Sequence, residues 1–345
     1  MKGTFLTTAA AALTAVMLGG AAAPALADGE LNLYSSRHYD TDERLYSDFE
    51  EATGITINRI EGNADQLIER IRSEGDNSPA DVLLTVDAGR LWRADQLGLF
   101  QPVDSDTLNA RIPEHLRHPN GHWFGFSQRA RIIFYDKDRI EPNQVSTYQS
   151  LADPELEGMV CTRSSGNIYM LSLMASMIEH VGPTLAQDWA EGLWNNRARD
   201  PEGGDTDQLR GIASGQCAVA VANTYYFARA LRKEVKGLGE EEIAKIGWVF
   251  PNQNGTGAHV NISGAGIVKN APNQENAVRF LEYLASKQAQ EYFSAGNDEY
   301  PAVPGVSLSD SVAQLGLFRQ DTLNLDALGR NQPQAQMIYD LVGYK

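Results

Sequence analysis

From Asp28 onwards, short apolar runs alternate with amphipathic stretches, and that alternation constrains the fold more than any other feature of the chain. Parallel α/β units leave this pattern in a sequence. Residues 31–34, 55–60 and 81–85 read as strands. A helix capped by Thr41 or Asp42 and stopped by Gly54 follows the first, and another spans 65–73. A third opens at Asp87 and runs to Gln96. The period then fails from 98 to 120, where Pro102, Pro113 and Pro119 interrupt it. Residues 123–127 and 130–135 read as two consecutive extended segments, the place for a crossing between lobes. A second α/β set follows, with strands at 159–162, 217–222 and 247–250 and helices at 167–180, 184–195 and 205–213. The glycine-rich stretch 255–266 reads as the return crossing, before a strand at 266–268 and helices at 274–285 and 287–294. The tail from Ser307 is expected to be helical and to pack back on the second lobe.

With 345 residues, 42% of them hydrophobic, the chain can fill two lobes with separate cores. Its formal charge of −16 argues against nucleic acid, because no basic patch is there to displace counterions from phosphates. Residues 1–27 have the layout of a cleavable signal peptide: Lys2, an alanine-rich apolar stretch over 5–23, and Ala25-Leu26-Ala27 before the cut. The stretch lacks the long leucine-rich core of a membrane anchor. The expected mature chain begins at Asp28 and works in the periplasm. In that oxidising compartment Cys161 and Cys217, the only cysteines, are expected to pair rather than remain buried thiols. Closing the loop between them would stabilise the chain by about 4 kcal/mol in the chain-entropy picture.

No nucleophile elbow, phosphate-binding loop, dinucleotide fingerprint or zinc-protease motif occurs, and no catalytic residue is assigned. The histidines His115, His118 and His122 are close enough in sequence for a metal. Pro119-Asn120-Gly121 breaks the helix that would align them, so a solvated loop that could pick up zinc or nickel is expected. The tyrosines differ. Tyr39, Tyr169, Tyr225 and Tyr226 each fall at an expected strand-to-helix junction, where open α/β sheets hold their ligands. Taken alone, the pair Tyr225-Tyr226 would put one ring in the core and one in water. All four at one cleft suit a hard, highly charged cation that prefers oxygen. With a phenol pKa of about 10, only an ion as polarising as Fe(III) recruits them at neutral pH. Four phenolates leave one negative charge on a trivalent ion, and one arginine would balance it.

Four motifs carry a family resemblance: Ser35-x-Arg37-His38-Tyr39, Arg129-Ala130-Arg131, Ser164-Ser165-x-Asn167-x-Tyr169 and Asn223-Thr224-Tyr225-Tyr226. In this order they resemble the periplasmic ferric-ion-binding proteins of bacterial ABC iron importers, in particular the cyanobacterial and related type. The resemblance extends from Asp28 nearly to the C-terminus. It implies an α/β type II periplasmic binding protein, two lobes joined by two hinge crossings with the ligand in the cleft. The N-lobe would comprise 28–128 and 255–305, and the C-lobe 129–254 and 306–345. It implies Tyr39, Tyr169, Tyr225 and Tyr226 as iron ligands, with His38 as ligand or neighbour. Arg129 would balance phenolate charge or hold a carbonate-like anion, water being the other candidate for the remaining position; Arg131 could exchange roles with it. Neisserial-type relatives use a His and a Glu from the first lobe with the tyrosine pair and a phosphate; Glu61 would match that Glu, but Tyr39 and Tyr169 point to the other type. A monomer delivering iron to an ABC permease and its ATPase is the implied function. A binding protein for a small anion or organic solute (phosphonate, thiamine, a sugar) and a secreted hydrolase built around 81–87 are the alternatives.

Overall fold

The computed structural model describes residues 29–37 and 41–345. The expected leader and its cleavage site lie outside the described residues, and so do His38 and Tyr39. Within them, β1 (Gly29–Ser35) runs parallel to β2 (Ile55–Glu61) and to β3 (Val82–Val86). The long strand β4 (Phe124–Asp136) is followed by β5 (Val160–Cys161), β6 (Val219–Asn223) and β7 (Ile246–Val249). Then come β8 (Val260–Ile267) and β9 (Tyr300–Pro301). The sheet order is β2-β1-β3-β8-β4-β6-β5, with β7 and β9 also on β4.

Strand β4 joins the two α/β halves. Its Phe124–Ala130 part pairs antiparallel with β8, and from Arg131 on its partners are β6 and β7. The two extended segments expected here are therefore one strand of 13 residues. The polar residues that interrupt the hydrophobic pattern, Gln128, Arg129 and Arg131, are all buried and hydrogen-bonded inside it. The return crossing is likewise more regular than its composition suggests. The strand expected from Gly266 begins earlier, so that Gly264 also lies within β8, and at both positions the neighbouring backbone comes too close for a side chain. A Cβ at Gly264 would sit 2.6 Å from Phe124 O, and one at Gly266 2.5 Å from His122 O. Where β4 and β8 pass together, the Tyr148 hydroxyl donates to Arg131 O (2.6 Å) and accepts from the His259 N–H (2.9 Å). One side chain thus latches both crossings.

The helix Ile168–Asn195 is interrupted at Gly182, which takes φ 80° ahead of Pro183, so the two helices expected at 167–180 and 184–195 follow each other directly. The C-terminal helix Asp326–Leu341 packs Ala335, Ile338 and Tyr339 into the core formed with Met170 and Met174 of that helix. It also lies against the helix Ala88–Gln96 of the first half, where Gly329 leaves room for Trp92. The tail therefore spans both halves rather than resting on the second alone. Cys161 and Cys217 are bonded, with a Cα–Cα distance of 5.8 Å, tying the end of β5 to the residues entering β6. No helix among the described residues is long and apolar enough to cross a membrane.

Candidate metal centre

Two helix starts carry the tyrosines. Asn167 caps the helix Ile168–Asn195 by accepting the Tyr169 N–H at 3.1 Å, which fixes Tyr169 in the first turn. The helix Thr224–Arg232 grows straight out of β6, but its N-cap residue Asn223 does not cap with its side chain. Asn223 Oδ1 instead accepts from Arg131 Nη1 at 3.1 Å, and its backbone N–H donates to Asp205 Oδ2 at 2.8 Å. The Arg131–Asp205 ion pair, 3.0 Å and buried on both sides, thus positions the start of the tyrosine helix.

Consecutive residues on a helix point about 100° apart. Tyr225 and Tyr226 nevertheless bring their rings together, with centroids 4.2 Å apart at 30°. The Tyr169 and Tyr225 hydroxyls lie 3.3 Å apart. All three phenols line one cavity of ≈ 680 Å³, with Arg229 beside them and Ser36, Glu61 and Arg90 opposite.

Guanidinium groups back this wall. Arg129 and Arg229 centre 5.8 Å and 5.7 Å from the Tyr225 ring, and Arg163 and Arg131 lie 5.4 Å and 5.8 Å from the Tyr169 ring. Arg129 is not a lone charge, because its Nη2 donates to Glu299 Oε1 and to Ser263 Oγ, both at 2.6 Å. Arg37, next to His38 and Tyr39, reaches the same Glu299 at 3.2 Å and pairs with Asp42 at 3.0 Å. Burial by itself would raise the Glu299 carboxyl, but Arg129 and Arg37 outweigh it and hold it below the usual carboxylate range. Asp87, at the end of β3 with φ 81°, is buried, and burial raises its carboxyl. It accepts Ser172 Oγ at 2.8 Å, joining the first half to the helix that carries Tyr169.

Of the site residues expected from sequence, Tyr169, Tyr225 and Tyr226 meet in one cavity, with Arg129 behind them and Glu61 across from them. Arg131 lies behind the Tyr169 ring and directs hydrogen bonds to Asp205 and Asn223, whereas Arg129 lies behind the Tyr225 ring and directs its own to Glu299 and Ser263. The solvated histidine loop requires correction. His118 is buried and stacks on His122 at 4.6 Å, because the Pro119-Asn120-Gly121 turn folds the loop back on itself, while His115 Nε2 points away to Gln320. Sequence reasoning assigned no role to Arg229, Arg163 or Glu299. Arg229 could have been found as the residue one helical turn after Tyr225. Glu299 gave no local signal.

The sequence profile of the bacterial extracellular solute-binding proteins matches residues 44–320. The iron uptake protein A2 of Synechocystis sp. is 50% identical over 337 residues, covering 97% of this chain and 96% of its own. The iron uptake protein A1 of the same organism is 51% identical, covering 92% and 88%. A Trichodesmium protein solved in complex with iron and citrate ligands superposes with a TM-score of 0.89 at 51% identity, over 92% of this chain and all (100%) of that one. The chain belongs to the bacterial extracellular solute-binding proteins and, within them, to the periplasmic ferric-iron-binding proteins of ABC transporters.

Proposed function

We propose that this protein captures Fe(III) on the phenolic oxygens of Tyr169, Tyr225 and Tyr226, with Tyr39 joining from the loop after β1. The observation that carries this reading is the convergence of three phenols on one wall, two of their oxygens 3.3 Å apart. Adjacent oxygens on an octahedral ion with bonds of about 2 Å stand roughly 2.8 Å apart, so a small inward movement completes the contact. Each phenol gives up its proton on binding, and the metal's charge holds the phenolate form. Arg129, Arg229 and Arg163 offset the charge that builds up behind the rings. His38, water or a carbonate-like anion fills the remaining position.

The lobes divide at the crossings, with 28–128 and 255–305 in one and 129–254 and 306–345 in the other, and closure about β4 and β8 brings Tyr39 to the metal. The chain acts as a periplasmic monomer after removal of residues 1–27. It delivers iron to a membrane permease powered by an ATPase, and iron is cargo rather than the agent of a reaction. Loading the purified protein with ferric citrate tests this directly. The expected result is one iron per chain and a red-to-orange iron–phenolate band. Colourless protein without iron would refute it and favour an organic ligand.

A further inference from the structure

The helix Ala88–Gln96 has one end at the cleft, where Arg90 lines the cavity. Its other end, roughly 12 Å away at 1.5 Å per residue, presents Asp95 to a different group of side chains. His118 and His122 are the two arms of a tight turn closed by Gly121 N–H to His118 O (3.0 Å) and His118 N–H to Trp123 O (2.9 Å), with Gly121 at φ 73°. The turn sets the imidazoles face to face, 6° from parallel. Asp95 spans both of them. Its Oδ1 is in close contact with His122 Nδ1, and its Oδ2 lies 3.5 Å from His118 Nε2. Asp326, the first residue of the C-terminal helix, brings Oδ1 to 3.9 Å from that same Nε2. One donor atom each from Asp95, His118 and His122 can be chosen so that all lie within 4.8 Å of one another.

We propose that Asp95, His118, His122 and Asp326 form a second cation site, separate from the iron cleft, for a divalent ion of the zinc class. The chemistry is selective. Two imidazoles with two carboxylate oxygens suit zinc and its transition-metal neighbours, whereas calcium and magnesium demand oxygen alone. The spacing fits as well. A tetrahedral ion with bonds of about 2.0–2.1 Å separates its ligands by roughly 3.3 Å; the distances of 3.5 and 3.9 Å around His118 Nε2 are close to that, while Asp95 Oδ1 and His122 Nδ1, now in direct contact, would have to move apart to admit the ion. The two carboxylates also bring negative charge to the site, only part of it offset by Arg330 at 3.6 Å from Asp326.

Binding costs one hydrogen bond. His118 Nδ1 accepts the Asn120 N–H at 3.1 Å, which leaves the ring proton on Nε2, facing Asp95. An ion at Nε2 moves the ring proton to Nδ1 and gives up the Asn120 bond, so the site is preformed without being ideal. The ion would act as a staple. Asp326 starts the helix that packs on both the helix of Tyr169 and the helix Ala88–Gln96, and the ion would fix that start to the first half of the molecule.

The test uses full-length protein already loaded with iron, so that the cleft phenols cannot take up the probe. Zn²⁺ is titrated in competition with a chromophoric chelator, and the melting temperature is followed with and without Zn²⁺. The expected result is one zinc per chain beyond the iron and a higher melting temperature with zinc, with the iron colour unchanged. His122→Gln and Asp95→Asn should each weaken zinc binding by about 100-fold or more, beyond the 10- to 100-fold cost of losing a partner that only orients a ligand, and abolish the thermal shift. His122 is partly exposed, so its variant should fold even if Asp95→Asn does not. Zinc binding no tighter than about 1 mM, binding unchanged in His122→Gln, or zinc that displaces the iron would each overturn the proposal. Because iron loading is scored by colour before zinc is added, failure here is distinguishable from failure of the iron reading.

Discussion

The two walls of the cleft are built in different ways. The tyrosine wall comes from two helix starts that follow local rules: Asn167 caps the turn of Tyr169, and β6 runs directly into the turn of Tyr225 and Tyr226. The opposite wall takes Ser36 from just beyond β1, Glu61 from the end of β2 and Arg90 from the first turn of the helix that follows β3. Its anchor, Arg37, is held by Asp42 close by and by Glu299 far along the chain. One wall thus presents three phenols already assembled, and the other draws its groups from separate elements. Iron should dock on the tyrosine wall first, with Tyr39 biasing the closed form, since a contact made only on closure favours closure.

The sharpest way to break this comparison is to remove ligands from each wall in turn. Tyr225→Phe or Tyr226→Phe should abolish most of the colour and weaken iron binding by at least ~1,000-fold, about 4 kcal/mol. Tyr39→Phe should keep a weaker, still coloured site that stays open more of the time, seen as a larger radius in solution scattering with iron present. Colour lost only in Tyr39→Phe would mean that the first wall builds the site.

Next in size is the disulfide, which braces the tyrosine wall from behind without touching the ligands. Replacing Cys161 and Cys217 together by alanine should cost up to about 4 kcal/mol of stability, read as a lower denaturation midpoint, while iron colour and stoichiometry persist. Loss of iron in the folded double variant would show that the bond shapes the site itself.

The crossing between the walls has a pH signature of its own. His259 is buried at the Tyr148 latch, and burial brings its pKa from 6.5 down to about 4. In the unfolded chain it takes up a proton near 6.5, so acid favours unfolding. The contribution is intact above pH 6.5, declines as pH falls from there towards about 4, and then levels off. Integrated over that window it is about 3 kcal/mol. His259→Gln should flatten the acid side of the stability–pH curve over this range. An unchanged slope would mean that other groups set acid stability.

What the sequence revealed divides along the same line as the walls. The strand-to-helix junctions of Tyr169, Tyr225 and Tyr226 were readable because each depends on residues next to it, as did the Gly182-Pro183 break; the disulfide, though long-range, was readable because two cysteines leave only one pairing. What depends on distant partners was not readable. Gln128 and Arg129 fell between the two expected segments because Glu299, which allows Arg129 to be buried inside a strand, lies elsewhere in the chain. The strand through Gly264 was hidden in the glycine-rich return crossing, because the backbone that crowds it belongs to neighbouring segments. His118 looked solvated because Asp95 and Asp326, which enclose it, come from two other helices.

Arg129 gives the smallest effect and the finest test of the comparison, because it belongs to both walls. Its guanidinium lies behind Tyr225, yet its hydrogen bonds go to the Glu299 that also holds Arg37. Because Glu299 already takes part of its charge, the field Arg129 lends the phenols is less than that of an isolated cation. Removing it still disfavours the charged, phenolate form, so the phenol pKa rises and protons compete better with iron. In Arg129→Ala the midpoint of iron release, followed by loss of colour on acidification, should therefore move to higher pH, by about one unit or less, worth at most ~1.4 kcal/mol. The melting temperature should fall as well, since Glu299 loses one of its two cations, and that fall would accompany a purely structural role too. The release midpoint separates the two readings. A midpoint that stays put while the melting temperature falls would assign Arg129 to the Glu299 network alone, leaving Arg229 and Arg163 to balance the phenolates.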